Sequence, residues 1–138
     1  MPDTAERPIE ILLVDDHALF RESVARLLAA EPGFRVTAHC SSVDEALEEL
    51  RKTRVDIVLL DFDLGQHDGK EFMRLAAQQG FSGKVLVVTA GVQKEQAADL
   101  IRSGISGIFM KHDSAALLIE GVRDQTRPSR RAHRGLPR

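Results

Sequence analysis

The chain is poor in cysteine and has no long apolar run. A single cysteine, Cys40, rules out an intramolecular disulfide and a cysteine-rich zinc site. It sits in FRVTAHC, a strand-like segment, where a small core residue is the expected role. No stretch of about 18 apolar residues occurs, so no membrane-spanning helix is expected. The first residues, MPDTAERPIE, are polar and lack the apolar segment of a secretory leader. There is no internal repeat and no low-complexity segment. Together these features point to the cytoplasm.

The 138 residues suffice for one domain with a sizeable core, and 43% hydrophobic with 29% charged residues is an ordinary globular composition. The net charge of −2 hides an asymmetry. Residues 1–122 carry −7, whereas residues 123–138 carry +5. An acidic body disfavours non-specific DNA binding. The basic end, RPSRRAHRGLPR, has few apolar residues and is expected to be a flexible tail or linker stub. The expected division is therefore a polar extension over 1–8, a folded domain over 9–123 and a tail over 124–138.

Short apolar runs alternate with amphipathic stretches. Strands are expected over 9–14 (IEILLV), 34–40, 55–60 (VDIVLL), 84–89 (KVLVVT) and 107–111 (GIFMK). Phe20, Val24, Leu27 and Leu28 mark the apolar face of a first helix, ended by Pro32-Gly33. Ser42 with Glu45 forms a capping box for a second, whose face is Val43, Ala46, Leu47 and Leu50. Phe72, Leu75 and Ala76 mark a third helix, ended near Gly80. Ala97, Leu100 and Ile101 mark a fourth, with Gly104 at its C-terminal end. Ala115, Leu118 and Val122 mark a fifth, started by Asp113 or Ser114. Five β-α units with near-continuous apolar strands imply a doubly wound α/β fold with a parallel five-stranded sheet.

In such sheets ligands bind beyond the carboxyl ends of the strands. There this chain places Asp15-Asp16 after the first strand, Asp61 after the third, Thr89-Ala90 after the fourth and Lys111 after the fifth. If the strand order is 2-1-3-4-5, all converge on one rim. Clustered carboxylates repel, and a hard divalent cation such as Mg²⁺ removes that penalty while leaving room for a phosphate. Lys111 and Thr89 then suit phosphoryl oxygens, and Asp61 suits a nucleophile that forms an aspartyl phosphate. Of the histidines, His17 follows the acidic pair and opens the first helix; it is within reach of the metal site's rim, but a solvated or capping role is expected. His67 and His112 lack metal-site spacing.

This pattern resembles the receiver domains of two-component response regulators, over roughly residues 9–123. The segments that carry the resemblance are ILLVDDHALFRESVARLL, VDIVLLDFDLGQHDG, VLVVTAG and GISGIFMKHDS. The DDHALFRE opening and KHDS are most similar to receivers that precede a LuxR-type helix-turn-helix domain. The resemblance implies a phosphorylation switch in transcription regulation, not a turnover enzyme, with Asp61 accepting a phosphoryl group from a sensor histidine kinase. It implies Asp16 as a direct Mg²⁺ ligand, Asp15 as one through water, and the backbone carbonyl of Asp63 as another. Thr89 and Lys111 would bind phosphoryl oxygens, with Ala90, Ile108 and Phe109 in the switch region. Dimerisation through helix 4, strand 5 and helix 5, or through helices 1 and 5, is a further implication. DNA would be reached only through an output domain, for which the last 15 residues leave no room. A stand-alone receiver and a piece of a longer regulator both remain open.

Three positions depart from the family's usual pattern. His112 replaces the proline that often follows the lysine, so a trans bond is expected there. Ile108 stands where Tyr or Phe is common, which weakens the case for a hydroxyl–aromatic switch with Thr89. Asp63 is acidic near the path of attacking water and is a candidate for tuning phosphoryl lifetime. Two rivals fit less well. Asp61-Phe62-Asp63 resembles the DxD signature of haloacid-dehalogenase phosphatases, but Gly65 breaks it and no acidic pair follows Lys111. A calcium loop starting at Asp61 would put Gly65, Gln66 and Phe72 at its fifth, sixth and twelfth positions, which are wrong for one. A receiver-shaped module that is never phosphorylated would be expected to lack an acidic residue or the lysine, and this chain has all five.

Overall fold

A computed structural model describes residues 7–62 and 69–126. Five strands, β1 (Ile9–Val14), β2 (Phe34–Cys40), β3 (Ile57–Asp61), β4 (Lys84–Thr89) and β5 (Gly107–Met110), pair in parallel in the order β2-β1-β3-β4-β5. The helices between and after them are α1 (Ala18–Ala29), α2 (Val43–Lys52), α3 (Gly69–Gln78), α4 (Lys94–Arg102) and α5 (Ala115–Thr126). The α/β class, the strand order and the β-α alternation are those expected from the sequence.

The strands are apolar throughout because both sheet faces are covered, and side chains still alternate between faces. Leu12, Val14, Val58, Leu60, Val85 and Val87 point to a core shared with Val43 and Ala46 of α2, Phe72 and Ala76 of α3 and Leu100 of α4. Ile11, Leu13, Ile57, Leu59, Leu86 and Val88 point to the other core, closed by Leu28 of α1 and Val122 of α5. Each helix contributes a stripe at helical spacing, and its edges stay wet. Leu27 and Ile101, expected on apolar faces, are exposed at 37% and 50%. They lie beside the buried Leu28 and Leu100, about 100° around the helix.

Local chemistry shifts some boundaries. β3 begins at Ile57 rather than at residue 55; Asp56 just before it still bonds both neighbours, donating to the Glu10 carbonyl at 2.9 Å and accepting from the Lys84 N–H at 3.1 Å, while its carboxylate accepts from the Glu10 N–H at 2.8 Å. β3 also runs on to include Asp61, since the Phe62 N–H continues the pairing to the Val88 carbonyl at 2.9 Å. Ser42 caps α2 by accepting from the Glu45 N–H at 3.2 Å, but the Glu45 carboxylate reaches back to Ser41 rather than Ser42, so the box is offset by one residue. The reciprocal box instead occurs at α4, between Gln93 and Gln96. Ser114 caps α5 through the Leu117 N–H, whereas Asp113 turns back to the Met110 N–H. Gly104, with φ of 108°, supplies the left-handed residue that ends α4. The Lys111–His112 bond is trans, as expected without proline.

Burial pushes the Cys40 thiol up to about 11, with Glu45 and Glu49 adding to the shift. An acid with a raised folded value favours folding below its unfolded value of 9.0 and loses that contribution as pH climbs to about 11. Cys40 is thus expected to resist a thiol reagent at pH 8 in native protein and to react at once in urea; equal rates would contradict its burial.

Gly121 is a helix-interior glycine with a packing reason. A Cβ there would lie 2.3 Å from Cζ of Phe109. Gly→Ala in a helix normally gains about 1 kcal/mol, but overpacking costs about 1–3 kcal/mol. Gly121→Ala is therefore expected to lower the thermal midpoint, and to raise it in a Phe109→Leu background. The same sign in both backgrounds would contradict the contact.

Candidate functional site

Strand register builds the rim. Val14 pairs with Leu60, Asp61 with Val88 and Thr89 with Met110. One step beyond Val14, Asp15 therefore comes level with Asp61, and one step beyond Met110, Lys111 follows Thr89. The Lys111 N–H donates to the Thr89 carbonyl at 2.7 Å, extending the ladder to the lysine.

Asp15, Asp61 and Thr89 are buried at 5%, 3% and 0% exposure, and they are the polar or charged residues buried among those described. Lys111 stretches over them, with Nζ 3.3 Å from Asp61 Oδ1 and 3.4 Å from Asp15 Oδ2. The same ammonium lies over the Phe20 ring, 4.8 Å from its centroid. Arg21 of α1 steadies the β1 end by donating to the Asp15 carbonyl at 2.7 Å. Asp16 stays half in water.

Thr89 is in place, but its hydroxyl is turned to its own loop: it donates to the Gly91 carbonyl at 3.0 Å and accepts from the Gly91 N–H at 3.1 Å. Ala90 is exposed beside it. Ile108 packs on the core under α2, α3 and α4, and Phe109 on the opposite core under α1 and α5. Asp63, His67 and the other loop residues over 63–68 lie outside the described residues, as does 127–138 of the basic end.

His17 is solvated, as expected, with its ring 63% exposed, but the ring does not cap. It is the N-cap residue of α1, yet its side chain makes no capping bond. The imidazole leans over the carboxylates instead, with Nδ1 3.3 Å from Asp15 Oδ1, 3.6 Å from Asp16 Oδ1 and 4.0 Å from Asp61 Oδ2. Its place directly after the acidic pair was the only signal in the sequence.

Among the described residues, Asp15, Asp16, His17 and Asp61 form a group whose ligand atoms all lie within 4.8 Å of one another. Three carboxylates on one rim with a single ammonium between them carry excess negative charge. That donor set, mostly hard oxygen with an open side, fits a divalent cation that keeps some of its waters. The cluster thus has the chemistry to gather a cation and a phosphoryl group next to Asp61.

The family model for the response regulator receiver domain matches residues 11–123. The chain belongs to that family. Among curated relatives, the transcriptional regulatory protein DegU of Brevibacillus brevis is 36% identical over 118 residues, 86% of this chain and 50% of DegU. The nitrate/nitrite response regulator NarP of Escherichia coli is 26% identical over 89% of this chain and 56% of its own length. This receiver spans about half the length of those relatives. A LuxR-family two-component response regulator from Aurantimonas sp. superposes with a TM-score of 0.79 at 31% identity, covering 85% of this chain and 84% of that one. The receiver belongs, by family and relatives, to two-component response regulators, and the regulators it resembles include transcription factors. No helix among the described residues is long and apolar enough to cross a membrane.

The ammonium's position sets a stability test. Removing Lys111, which is 17% exposed, strands two buried carboxylates. Lys111→Met in metal-free buffer is expected to cost about 2–4 kcal/mol in urea unfolding, below the full buried-pair value because some water reaches the site. Asp16→Asn, at an exposed position, is expected to be neutral or stabilising. A neutral Lys111→Met would contradict the electrostatic picture.

Proposed function

We propose that this receiver is a phosphorylation switch whose acceptor is Asp61. The observation that carries the reading is the buried Asp61 carboxylate held 3.3 Å from Lys111 beside Asp15 and Asp16. An Asp61 oxygen attacks the phosphorus of a phosphohistidine on a sensor kinase. The O–P bond forms as the P–N bond breaks, and its electron pair returns to the ring nitrogen of an imidazole whose other nitrogen carries the proton, so the leaving group is neutral. Asp15, Asp16, Asp61 and the Asp63 carbonyl would hold Mg²⁺, which neutralises phosphoryl charge when bound. Lys111 is positioned to pair with a phosphoryl oxygen, a task for a point charge on a flexible stem. Thr89 would release Gly91 to meet another, so the loop after β4 would move with its hydroxyl.

Phosphorylation adds charge and acceptors at the rim and shifts the population between two arrangements of that loop and α4. The response then spreads through Ala90, Ile108 and Phe109 to the α4–β5–α5 face or to the α1 and α5 faces, where a second copy docks. The chain acts on itself alone, with no separate substrate to turn over. Residues 9–123 are the switch unit, with 1–8 and 124–138 as extensions. In a regulator of the DegU or NarP type its output would be transcription through an attached DNA-binding domain, in the cytoplasm.

Incubation with acetyl phosphate and Mg²⁺ is expected to give a single phosphoryl adduct by intact-protein mass, lost with EDTA and absent from Asp61→Ala. Equal labelling of that variant would overturn the assignment. Lys111→Ala is expected to accept phosphate without the change in oligomer size seen for wild type; an unchanged size shift would remove the lysine from the coupling.

A further inference from the structure

We infer that His17 is a nitrogen ligand of the cation site and moves its preference from Mg²⁺ toward Mn²⁺. This rests on the reading of Asp15, Asp16 and Asp61 as the site's carboxylates. The backbone, not the ring, does the capping work at the start of α1. The His17 carbonyl accepts from the Arg21 N–H at 2.9 Å, and the His17 N–H donates to Asp15 Oδ1 at 2.8 Å. That second bond ties the loop to the carboxylate and carries the ring over the cluster. The ring is 63% exposed, so no packing holds it elsewhere.

The atom turned to the carboxylates is Nδ1, at 3.3, 3.6 and 4.0 Å from three different ones. Neighbouring donors around an octahedral ion with bonds of about 2.1 Å sit about 3 Å apart. Closure onto an ion therefore needs only a small contraction. Lys111 Nζ lies 3.4 Å from the same Nδ1. Nδ1 thus faces an acceptor, Asp15 Oδ1 at 3.3 Å, and a donor, the Lys111 ammonium, so it stands where either a proton or a cation can bridge it to the carboxylates. A bound cation would take the Nδ1 lone pair, with the ring proton on Nε2.

Mg²⁺ selects oxygen donors; Mn²⁺ also favours oxygen but, as a first-row transition ion, accepts a single imidazole more readily than Mg²⁺ does. Three carboxylates plus one imidazole is thus a better set for Mn²⁺ than carboxylates with a carbonyl alone.

The chain contains no Trp or Tyr, so binding is best followed by calorimetry rather than intrinsic fluorescence. Mg²⁺ and Mn²⁺ would be titrated separately into wild type and His17→Asn, which keeps a residue favoured at an N-cap and replaces nitrogen by an amide. His17→Asn is expected to lose about tenfold or more in Mn²⁺ affinity and less than about threefold in Mg²⁺ affinity. Electron-spin-echo modulation from ¹⁴N on bound Mn²⁺ is expected in wild type and absent in the variant. Equal changes for both ions, tighter binding of both, or an unaltered ¹⁴N signal would overturn the His17 assignment while leaving the carboxylate site standing. No binding of either ion to wild type would overturn the carboxylate site as well.

Discussion

Two buried carboxylates, Asp15 and Asp61, share one ammonium, Lys111, at 3.4 and 3.3 Å, with Asp16 and His17 closing the same rim. Ionised groups are costly to bury unless paired. Here the pairing is incomplete by charge, and that imbalance gives the site its character. Its chemistry suits a cation and, on the proposed reading, a phosphoryl group beside it. A rim with equal charges of both signs would be more stable and would have less to respond to.

The fold supplies this imbalance through register. Parallel strands in the order β2-β1-β3-β4-β5 bring β1 and β3 side by side, so Asp15 falls level with Asp61, and β4 with β5 delivers Lys111 one step past Thr89. The strands need apolar cores on both faces to hold that register, and the alternation of Ile11, Leu13 with Leu12, Val14 provides them. The sheet therefore fixes the rim from below, and Thr89 joins the ladder to the loop after β4. Its backbone is in the ladder, and its hydroxyl is held by Gly91, a bond that a phosphoryl oxygen can replace.

Much of this is readable in the residues alone. Apolar runs of strand length, helical stripes and the order Asp-Asp, Asp, Thr, Lys at successive strand ends led to the fold and to the placement of the rim. The features that escaped depend on contacts and orientations that spacing alone does not express. The Asp56 carboxylate takes the Glu10 N–H, 46 positions away, where the strand is expected to have already begun. Ile101 turns out to water because Leu100 takes the core position. The imidazole of His17 joins the cluster because its own N–H is tied to Asp15. Gly121 accommodates Phe109 across the β5–α5 packing, which spacing along the chain does not express. Helix caps fell between these cases: Ser42 and Ser114 are local, but the reach of Glu45 to Ser41 instead of Ser42 is a matter of side-chain geometry.

The most direct test of the switch is the position of the acyl phosphate itself. Borohydride reduction of the phosphorylated chain converts an aspartyl phosphate to homoserine, which peptide mass mapping can place. Homoserine at position 61, with Asp15, Asp16 and Asp63 intact, is the predicted result. Homoserine at any of those three, or intact aspartate at 61 in a chain that carries the adduct, would contradict it.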